Sequence, residues 1–305
     1  MNTKKVNVVP IKLPVKSAFM IETDPDFPKL HTLMVCSGKR GSGKSVAIAN
    51  FIAICKKKHY FDRVYLITPS YNSNKTIWDI ADIEEQDVFE PEVDVLKRII
   101  KKVEEEKSAW DAFIAKKELY KKFKKDIQTK NVDKINEDNL INYLDQGFFD
   151  NMINEKWIYP IEQPPRLCII LDDTINAPVM ARRSSGLASI SLKHRHIASG
   201  LGVSLIFLVQ SYSCNDGLPR VLRENCTHLL LFKINNEQQL KKIKDESDLP
   251  ITDEEFTEIC KLAFSVEHNF LFIDFAHKCP TKQFRNGWNE YFVLKSLEGK
   301  CKCNK

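Results

Sequence analysis

A glycine-rich stretch near the start of the chain has the residue types and the spacing of a phosphate-binding loop. Gly38, Gly43, Lys44 and Ser45 fill the fixed positions of the pattern G-x-x-x-x-G-K-[ST]. Glycine lets the backbone wrap closely enough for several N–H groups to surround a phosphate. The lysine of this pattern reaches the β- and γ-phosphates, and the hydroxyl holds Mg²⁺. We therefore predict a site for ATP and Mg²⁺, with the intervening loop residues as further nucleotide contacts: Lys39, Arg40, Gly41 and Ser42.

The segments on either side of this loop suit a nucleotide site. Residues 31–36 are typical of a short buried strand, and residues 45–55 are typical of an apolar helix. The amino terminus of that helix would face the phosphates, where its dipole favours negative charge. A further apolar strand at 63–68 implies a parallel crossover. A glycine-rich turn that fits the pattern by chance is the alternative, and this order of elements argues against it.

Two carboxylates end a later apolar segment. Residues 166–171 form a continuous apolar run that leads into Asp172 and Asp173, as expected for a buried parallel strand. Ligands of open α/β sheets bind at the carboxyl ends of such strands. We expect Asp172 to hold the hydration shell of Mg²⁺ and Asp173 to polarise the attacking water. The alternative is an acidic pair that ends a strand and caps a turn.

Gln210 lies near the end of the next apolar strand, residues 202–212. An amide at a strand tip beside the γ-phosphate can sense the phosphate or orient water, although a hydrogen-bonded turn residue would look the same. A helix is predicted over 185–199, and others begin at 219 and 235. Strands are predicted at 227–233 and 269–274. This alternation predicts an α/β fold around one mostly parallel central sheet.

Composition limits the class of protein. With 305 residues, 43% of them hydrophobic and 29% charged, the chain resembles an ordinary soluble protein that can bury a large core. It has no apolar run long enough to span a membrane and no signal-peptide core. Nine cysteines, an odd number, favour reduced thiols and an intracellular location. The net charge of +5 permits a polyanionic partner without requiring one.

We interpret residues 1–305 as a single domain with three additions. Residues 1–30 are a proline-containing N-terminal arm, and residues 276–305 are a C-terminal tail whose cysteines lack paired C-x-x-C spacing for zinc. Residues 80–160 are a largely helical insertion, because apolar residues recur at three- and four-residue steps between 99 and 123. That helix either packs on the domain surface or forms a lever or a subunit contact.

The order of these motifs resembles a known family. The most specific part is HRHIASGLGVSLIFLVQSY, at 194–212, followed by LPRVLREN, at 218–225. With the phosphate-binding loop and Asp172-Asp173, it resembles viral genome-packaging ATPases of the FtsK–HerA superfamily, of the poxvirus, giant-virus and virophage type. The resemblance covers about residues 30–275. It implies a three-layer, RecA-like (ASCE) P-loop NTPase with strand order 5-1-4-3-2.

The resemblance also implies a function and partners. Such proteins form rings, pentameric or hexameric, that use ATP to move double-stranded DNA into a preformed capsid. A capsid or portal vertex protein is then a partner, and the host cytoplasm or a virus factory is the expected location, with virion association as an alternative. Lys44, Ser45, Asp172, Asp173 and Gln210 match the family's site positions. The second acidic residue is Asp rather than Glu, so its reach to the water is shorter by one methylene.

An arginine from a neighbouring subunit completes each site in this family, because an arginine supplied in trans stabilises the transferring phosphoryl group. Arg223 is our first candidate, followed by Arg220 and then Arg195. Each could instead pair with an acidic neighbour. Two basic clusters could contact DNA or be ordinary surface charge: Arg182-Arg183 and residues 193–195.

Other functions remain open from the sequence. A replication helicase of related fold would separate strands. A nucleotide kinase would carry acceptor-binding Asp and Arg residues soon after the loop, and the late position of the acidic strand argues against it. A nucleotide-gated scaffold in capsid assembly would bind ATP without being an enzyme.

Overall fold

The computed structural model describes residues 21–129, 135–149, 156–181, 186–212 and 218–299. In this part of the chain, nine strands form one sheet in the order β3-β2-β4-β5-β1-β6-β7-β8-β9. The strands are β1 Leu33–Ser37, β2 Arg63–Ile67, β3 Val88–Phe89, β4 Leu167–Asp172, β5 Ser204–Val209, β6 His228–Phe232, β7 Phe270–Asp274, β8 Phe284–Asn286 and β9 Glu290–Tyr291. The helices are α1 Lys44–Lys57, α2 Tyr71–Ile80, α3 Val95–Thr129, α4 Glu137–Asp145, α5 Leu187–Lys193, α6 Ile197–Gly200, α7 Arg220–Glu224, α8 Glu237–Ser247 and α9 Asp253–Ala263.

The centre of the sheet is parallel. Strand β1, which precedes the phosphate-binding loop, pairs in parallel with β5 on one side and β6 on the other. Strand β4, which ends at Asp172 and is followed by Asp173, lies between β5 and β2. Counted from the loop strand and leaving out the two-residue β3, the order is 5-1-4-3-2. The predicted fold class is confirmed.

Successive side chains of a strand point to opposite faces of the sheet, and here both sets are apolar. Helices cover both of these apolar faces. Leu33 and Val35 of β1 belong to the core cluster that α3, α5, α8 and α9 cover. Met34 and Cys36 belong to the cluster that α1 and α2 cover. The strands contain almost only apolar residues, as expected when both faces are buried. The result is the expected three-layer arrangement.

The helix predicted over 185–199 is not continuous. Helix α5 ends at Lys193, and the next residues form a 3-10 turn. In α6, Ala198 and Ser199 have φ angles of 50° and 55°, which a continuous α-helix does not allow. Further along, a Cβ at Gly202 would lie 2.6 Å from the buried ring of His31, so only glycine fits at that position. The prediction of one helix across this segment was therefore wrong.

The insertion and the tail both contain regular structure. Helix α3 has 35 residues and is followed by α4. In the segment interpreted as a tail, β8 and β9 extend the sheet in antiparallel fashion. Their sequences, Phe284–Asn286 and Glu290–Tyr291, are too short and too polar to be recognised by alternation. The first twenty residues of the predicted arm lie outside the described ones.

The described cysteines are mostly reduced. Free thiols are found at five buried positions: Cys36, Cys55, Cys168, Cys226 and Cys260. Cys279 is an exception to the expectation of free thiols, because it is disulfide-bonded. No cluster of three or more metal-ligating side chains occurs within the described ranges. In those same ranges, none of the helices combines the length and the apolar character needed to cross a membrane.

Candidate functional site

The phosphate-binding loop joins β1 to α1 and depends on close packing at two glycines. A Cβ on Gly38 would lie 2.5 Å from Cβ of Phe232, so no larger residue fits there without displacing β6. Gly43 has a φ angle of 96° and precedes the first residue of α1, a conformation that L side chains rarely adopt. The loop therefore turns sharply, and its backbone leads directly into a helix amino terminus, which favours anions.

Lys44 lies against its own loop. Its Nζ donates hydrogen bonds to the carbonyl oxygens of Gly38, at 2.7 Å, and Lys39, at 3.0 Å. The side chain is buried, and burial lowers the pKa of Lys44, while the carboxylates of Asp173 and Asp172 oppose that change. The ammonium group thus lies between the loop and the acidic strand end.

Ser45 and Asp172 are direct neighbours. The Ser45 hydroxyl donates to Oδ2 of Asp172 at 3.2 Å. Asp172 is only 3% exposed, and burial, reinforced by the negative charge of Asp173, raises the pKa of Asp172 to about 6. The hydroxyl of Ser45 and the charge of Lys44 act in the opposite direction. These two oxygen-bearing side chains fit Mg²⁺, which usually takes one or two protein ligands and keeps several waters.

Asp173 and Gln210 meet across the ends of β4 and β5. Nε2 of Gln210 donates to Oδ1 of Asp173 at 2.9 Å. The contact follows from the strand pairing, since Asp172 lies opposite Leu208 in the register of these neighbouring strands. Asp173 has a φ angle of 54°, in the left-handed region that is uncommon for residues other than glycine. Five of the residues singled out by the sequence are therefore brought together at the carboxyl edge of the sheet: Lys44, Ser45, Asp172, Asp173 and Gln210.

A cleft of about 670 Å³ opens beside these residues. The loop and both aspartates line one end of it, and Arg40 lies at its rim, whereas Lys39 and Gln210 line an adjoining depression. The remaining walls come from residues that the sequence analysis missed, on α1, α2 and the last strands: Asn50, Ser70, Ser73, Asn74, Ile77, His268, Phe270 and Trp288.

The far wall of the cleft is aromatic. The ring of Trp288 stacks on Phe51, with ring centroids 5.2 Å apart and an interplanar angle of 15°, and meets the edge of Phe270 at 5.1 Å. Asn50 and Asn74 add amide groups to the same cleft. An apolar wall with a few hydrogen-bonding groups is the usual composition of a small-molecule site. In the sequence, these residues show nothing that indicates a binding site beyond their aromatic and polar side chains.

The three candidate arginines differ in their surroundings. Arg223 is half-buried and forms a bidentate ion pair with Glu246, at 2.8 Å and 3.0 Å, and its guanidinium lies over the ring of Tyr212. Arg220 has a side chain that is 76% exposed, and it pairs with Glu224, four residues along its helix. Arg195 is exposed. Arg223, our first candidate from the sequence, is therefore the one most firmly held within its own chain.

The two candidate DNA-binding clusters can be described only in part. Lys193 and Arg195 are exposed where α5 ends, on the face of the sheet that α3 also covers. Arg182 and Arg183 lie outside the described residues.

Several solved structures are similar to this one at low sequence identity. The genome-packaging NTPase B204 from Sulfolobus turreted icosahedral virus 2, solved with AMPPCP, matches with 13% identity and a TM-score of 0.44 over 83% of this chain and 94% of B204. ATPases 2 and 3 of EssC from Geobacillus thermodenitrificans match with 13% identity and a TM-score of 0.38 over 70% of this chain. The pCW3 conjugation coupling protein TcpA matches with 13% identity and a TM-score of 0.41 over 81% of this chain.

The extent of these matches differs among the three proteins. The chain spans 34% of the EssC chain and 59% of the TcpA chain. No protein-family model matches the sequence, and no curated protein matches it either. Similarity at these identities and TM-scores does not identify a function.

Proposed function

We propose that this chain binds ATP in the cleft and hydrolyses it. The observation that carries the proposal is the pair of hydrogen bonds at the acidic strand end, Ser45 to Asp172 and Gln210 to Asp173, beside the ammonium group of Lys44. A positive charge, a candidate pair of metal ligands and an oriented carboxylate then surround one position. Phosphoryl transfer needs these groups, because its catalysis consists mainly of positioning and electrostatic stabilisation.

Each residue has a distinct role in this proposal. The loop amides and Lys44 bind the β- and γ-phosphates, for which Lys44 exchanges the carbonyls of Gly38 and Lys39 for phosphate oxygens. Ser45 and Asp172 hold Mg²⁺, which supplies charge neutralisation at the phosphates when bound. Asp173 accepts a hydrogen bond from the attacking water, and Gln210 fixes the orientation of that carboxylate.

The aromatic end of the cleft is suited to the base of the nucleotide. Trp288 and Phe270 provide an apolar wall, and the amides of Asn50 and Asn74 can donate to the ring nitrogens of adenine or accept from its exocyclic amino group. Because β8 leads directly to Trp288, the C-terminal segment belongs to the ATP site in this proposal.

We further propose that hydrolysis drives double-stranded DNA into a viral capsid, within a homo-oligomeric ring. The support is the sequence resemblance of residues 194–225 to packaging ATPases. For the arginine acting in trans, the structural surroundings favour Arg220 and Arg195 over Arg223. The exposed pair of Arg220 with Glu224 costs little to break, whereas Arg223 would have to leave a bidentate hydrogen-bonded pair with the half-buried carboxylate of Glu246.

The test is the release of phosphate from ATP by the purified full chain, with and without duplex DNA. We expect hydrolysis that duplex DNA stimulates and that Lys44→Ala and Asp172→Ala abolish. Turnover by a monomer that transfers phosphate to a small acceptor, without stimulation by DNA, would contradict the motor. Strand separation of a forked duplex would favour a helicase instead.

A further inference from the structure

Helix α3 is much longer than its crossover requires. Its 35 residues span about 52 Å at 1.5 Å per residue, whereas the six residues of β4 span about 20 Å. Val95, Leu96, Ile99 and Val103 pack in the core, and Glu106 is bonded to Arg63, the first residue of β2. Residues 107–129, which we term the distal arm, therefore project beyond the amino edge of the sheet, opposite the ATP cleft.

The base of the distal arm is fixed to the sheet. Arg63 donates to both carboxylate oxygens of Asp87, at 2.7 Å and 2.8 Å, and to Oε1 of Glu106 at 2.8 Å. Tyr159 donates to the same oxygen of Glu106 at 2.9 Å. Because Asp87 and Glu106 are buried, this network holds α3 in one position relative to β2.

The distal arm also has a small core of its own. Phe123 contacts the rings of Tyr143 at 5.2 Å and Phe148 at 5.6 Å, and the hydroxyl of Tyr143 donates to Asp126. These contacts attach α4 to one side of the arm. The orientation of the distal arm is thus fixed both at its base and along its length. A surface that binds a partner needs such a fixed orientation.

The opposite side of the distal arm is strongly basic. Residues 116–125 contain six lysines and one acidic residue, Glu118. Spacings of four, seven and eight residues place four lysines on one side of the helix. These four lysines, which we term the lysine face, are Lys117, Lys121, Lys124 and Lys125.

Three lysines of the lysine face, Lys121, Lys124 and Lys125, are exposed, although Nζ of Lys124 lies 4.7 Å from the centroid of the Tyr120 ring. Helix α4 lies on the other side, where Lys122 donates to Asn139 at 2.8 Å. Lys117 pairs with Glu162, but within the described residues Lys121, Lys124 and Lys125 have no carboxylate partner and are exposed. Like charges four residues apart destabilise a helix, so Lys117, Lys121 and Lys125 together act against the stability of α3. A polyanion bound to the lysine face would offset this repulsion and so stabilise α3.

We propose that the lysine face binds the phosphate backbone of duplex DNA. The inference rests on the proposed function for the kind of nucleic acid, but it does not depend on hydrolysis. Lysines on a fixed helix fit a ladder of phosphates and carry no sequence preference, as a translocase that handles a whole genome needs. The distance from the ATP cleft means that this contact guides or holds DNA without taking part in the chemistry.

The experiment is a fluorescence anisotropy titration of labelled duplex DNA at several salt concentrations, without nucleotide. The test variant is Lys121→Gln, Lys124→Gln, Lys125→Gln. The matched control is Lys241→Gln, Lys242→Gln, Lys261→Gln, which changes net charge equally on α8 and α9. Glutamine retains helix propensity, and circular dichroism confirms that each variant folds.

We expect the slope of log affinity against log salt to become shallower by about 2 to 3 in the test variant, since each lost phosphate contact removes about 0.9. The control should keep the wild-type slope. A test variant with an unchanged slope, or wild-type protein that does not bind duplex DNA, would overturn the inference and favour an acidic protein as the partner. DNA binding with the expected slope change in a chain that hydrolyses no ATP would refute the proposed ATPase alone.

Discussion

Gln210 donates a hydrogen bond of 2.9 Å to the carboxylate of Asp173, across the ends of two neighbouring strands. This contact joins the strand next to the phosphate-binding loop with the strand that carries the acidic pair. A carboxylate with one oxygen so engaged has a restricted orientation, and its second oxygen remains available to water. The short side chain of Asp173, where the resembled family has Glu, makes that orientation more important.

Replacement of Gln210 by Ala should impair catalysis while leaving nucleotide binding intact. We expect kcat for ATP hydrolysis to fall by roughly 10- to 100-fold, because Asp173 loses the group that orients it. This loss is smaller than the whole contribution of a general base, which is about 10²- to 10⁴-fold. The Kd for ATP should change less than threefold. Gln239→Ala is the matched control, since Gln239 donates to Ser211 instead. Equal kcat values for both variants would rule out the orienting role.

Arg223 and Arg220 should separate stability from catalysis. Arg223→Ala removes both hydrogen bonds to the half-buried carboxylate of Glu246, which keeps only Lys242 at 4.0 Å, and should lower the free energy of unfolding by about 2 kcal/mol, measured by urea denaturation. Arg220→Ala should change that free energy by less than about 0.5 kcal/mol, because its pair is exposed. If Arg220 acts in trans, hydrolysis by the assembled ring falls by roughly 10³-fold or more. A stable Arg223→Ala protein with that loss of activity would reverse the assignment, and loss only in Arg195→Ala would move it to Arg195.

Acidification should destabilise the fold through His31. Burial lowers the pKa of His31 from 6.5 to about 4, while Nε2 bonds to the carbonyl of Leu201 at 2.9 Å. Between these values the unfolded chain binds a proton that the folded chain does not. Stability is therefore fully present above pH 6.5 and is lost as the pH falls towards 4, by up to about 3 kcal/mol.

Urea denaturation at pH 7.5 and pH 5 measures this loss. A lowered pKa of His194 acts in the same direction, whereas the raised pKa of Asp172 acts in the opposite direction. The contribution of His31 is therefore the difference between two proteins: His31→Gln should lose less stability than the wild type between pH 7.5 and pH 5. A variant with the same pH dependence as wild type would show that His31 does not contribute.

The sequence predicted the parts of the fold that burial on both sides of a sheet forces to be apolar. Strand β4 and strand β5 are continuous apolar runs, and each is followed by a polar residue, so the meeting of Asp173 with Gln210 was foreseeable from strand order. The glycine pattern of the loop was equally clear from the sequence. The structure explains the first glycine, because a Cβ at Gly38 would collide with β6.

The walls of the cleft could not be predicted in the same way. Trp288 lies between the three-residue β8 and the two-residue β9, in a segment without alternation. Its contact with Phe51 joins residues far apart in the chain. Helix α2 has a mixed polar sequence and was not predicted at all. The break at Ala198 and Ser199 has no glycine or proline at either position to mark it in the sequence. The ion pair of Arg223 with Glu246 likewise has no local signal.

The central claim is that Lys44, Asp172, Asp173 and Gln210 act on the terminal phosphoryl group of one ATP. Its most direct test measures phosphate release and ATP binding by the wild-type chain and by Asp173→Asn, which keeps the shape of the side chain but removes its charge. The account predicts steady hydrolysis by the wild-type chain, and in the variant a Kd for ATP within about threefold of wild type with kcat lowered by roughly 100-fold or more. A wild-type chain that releases no phosphate, or a variant that releases it at the wild-type rate, would contradict the account.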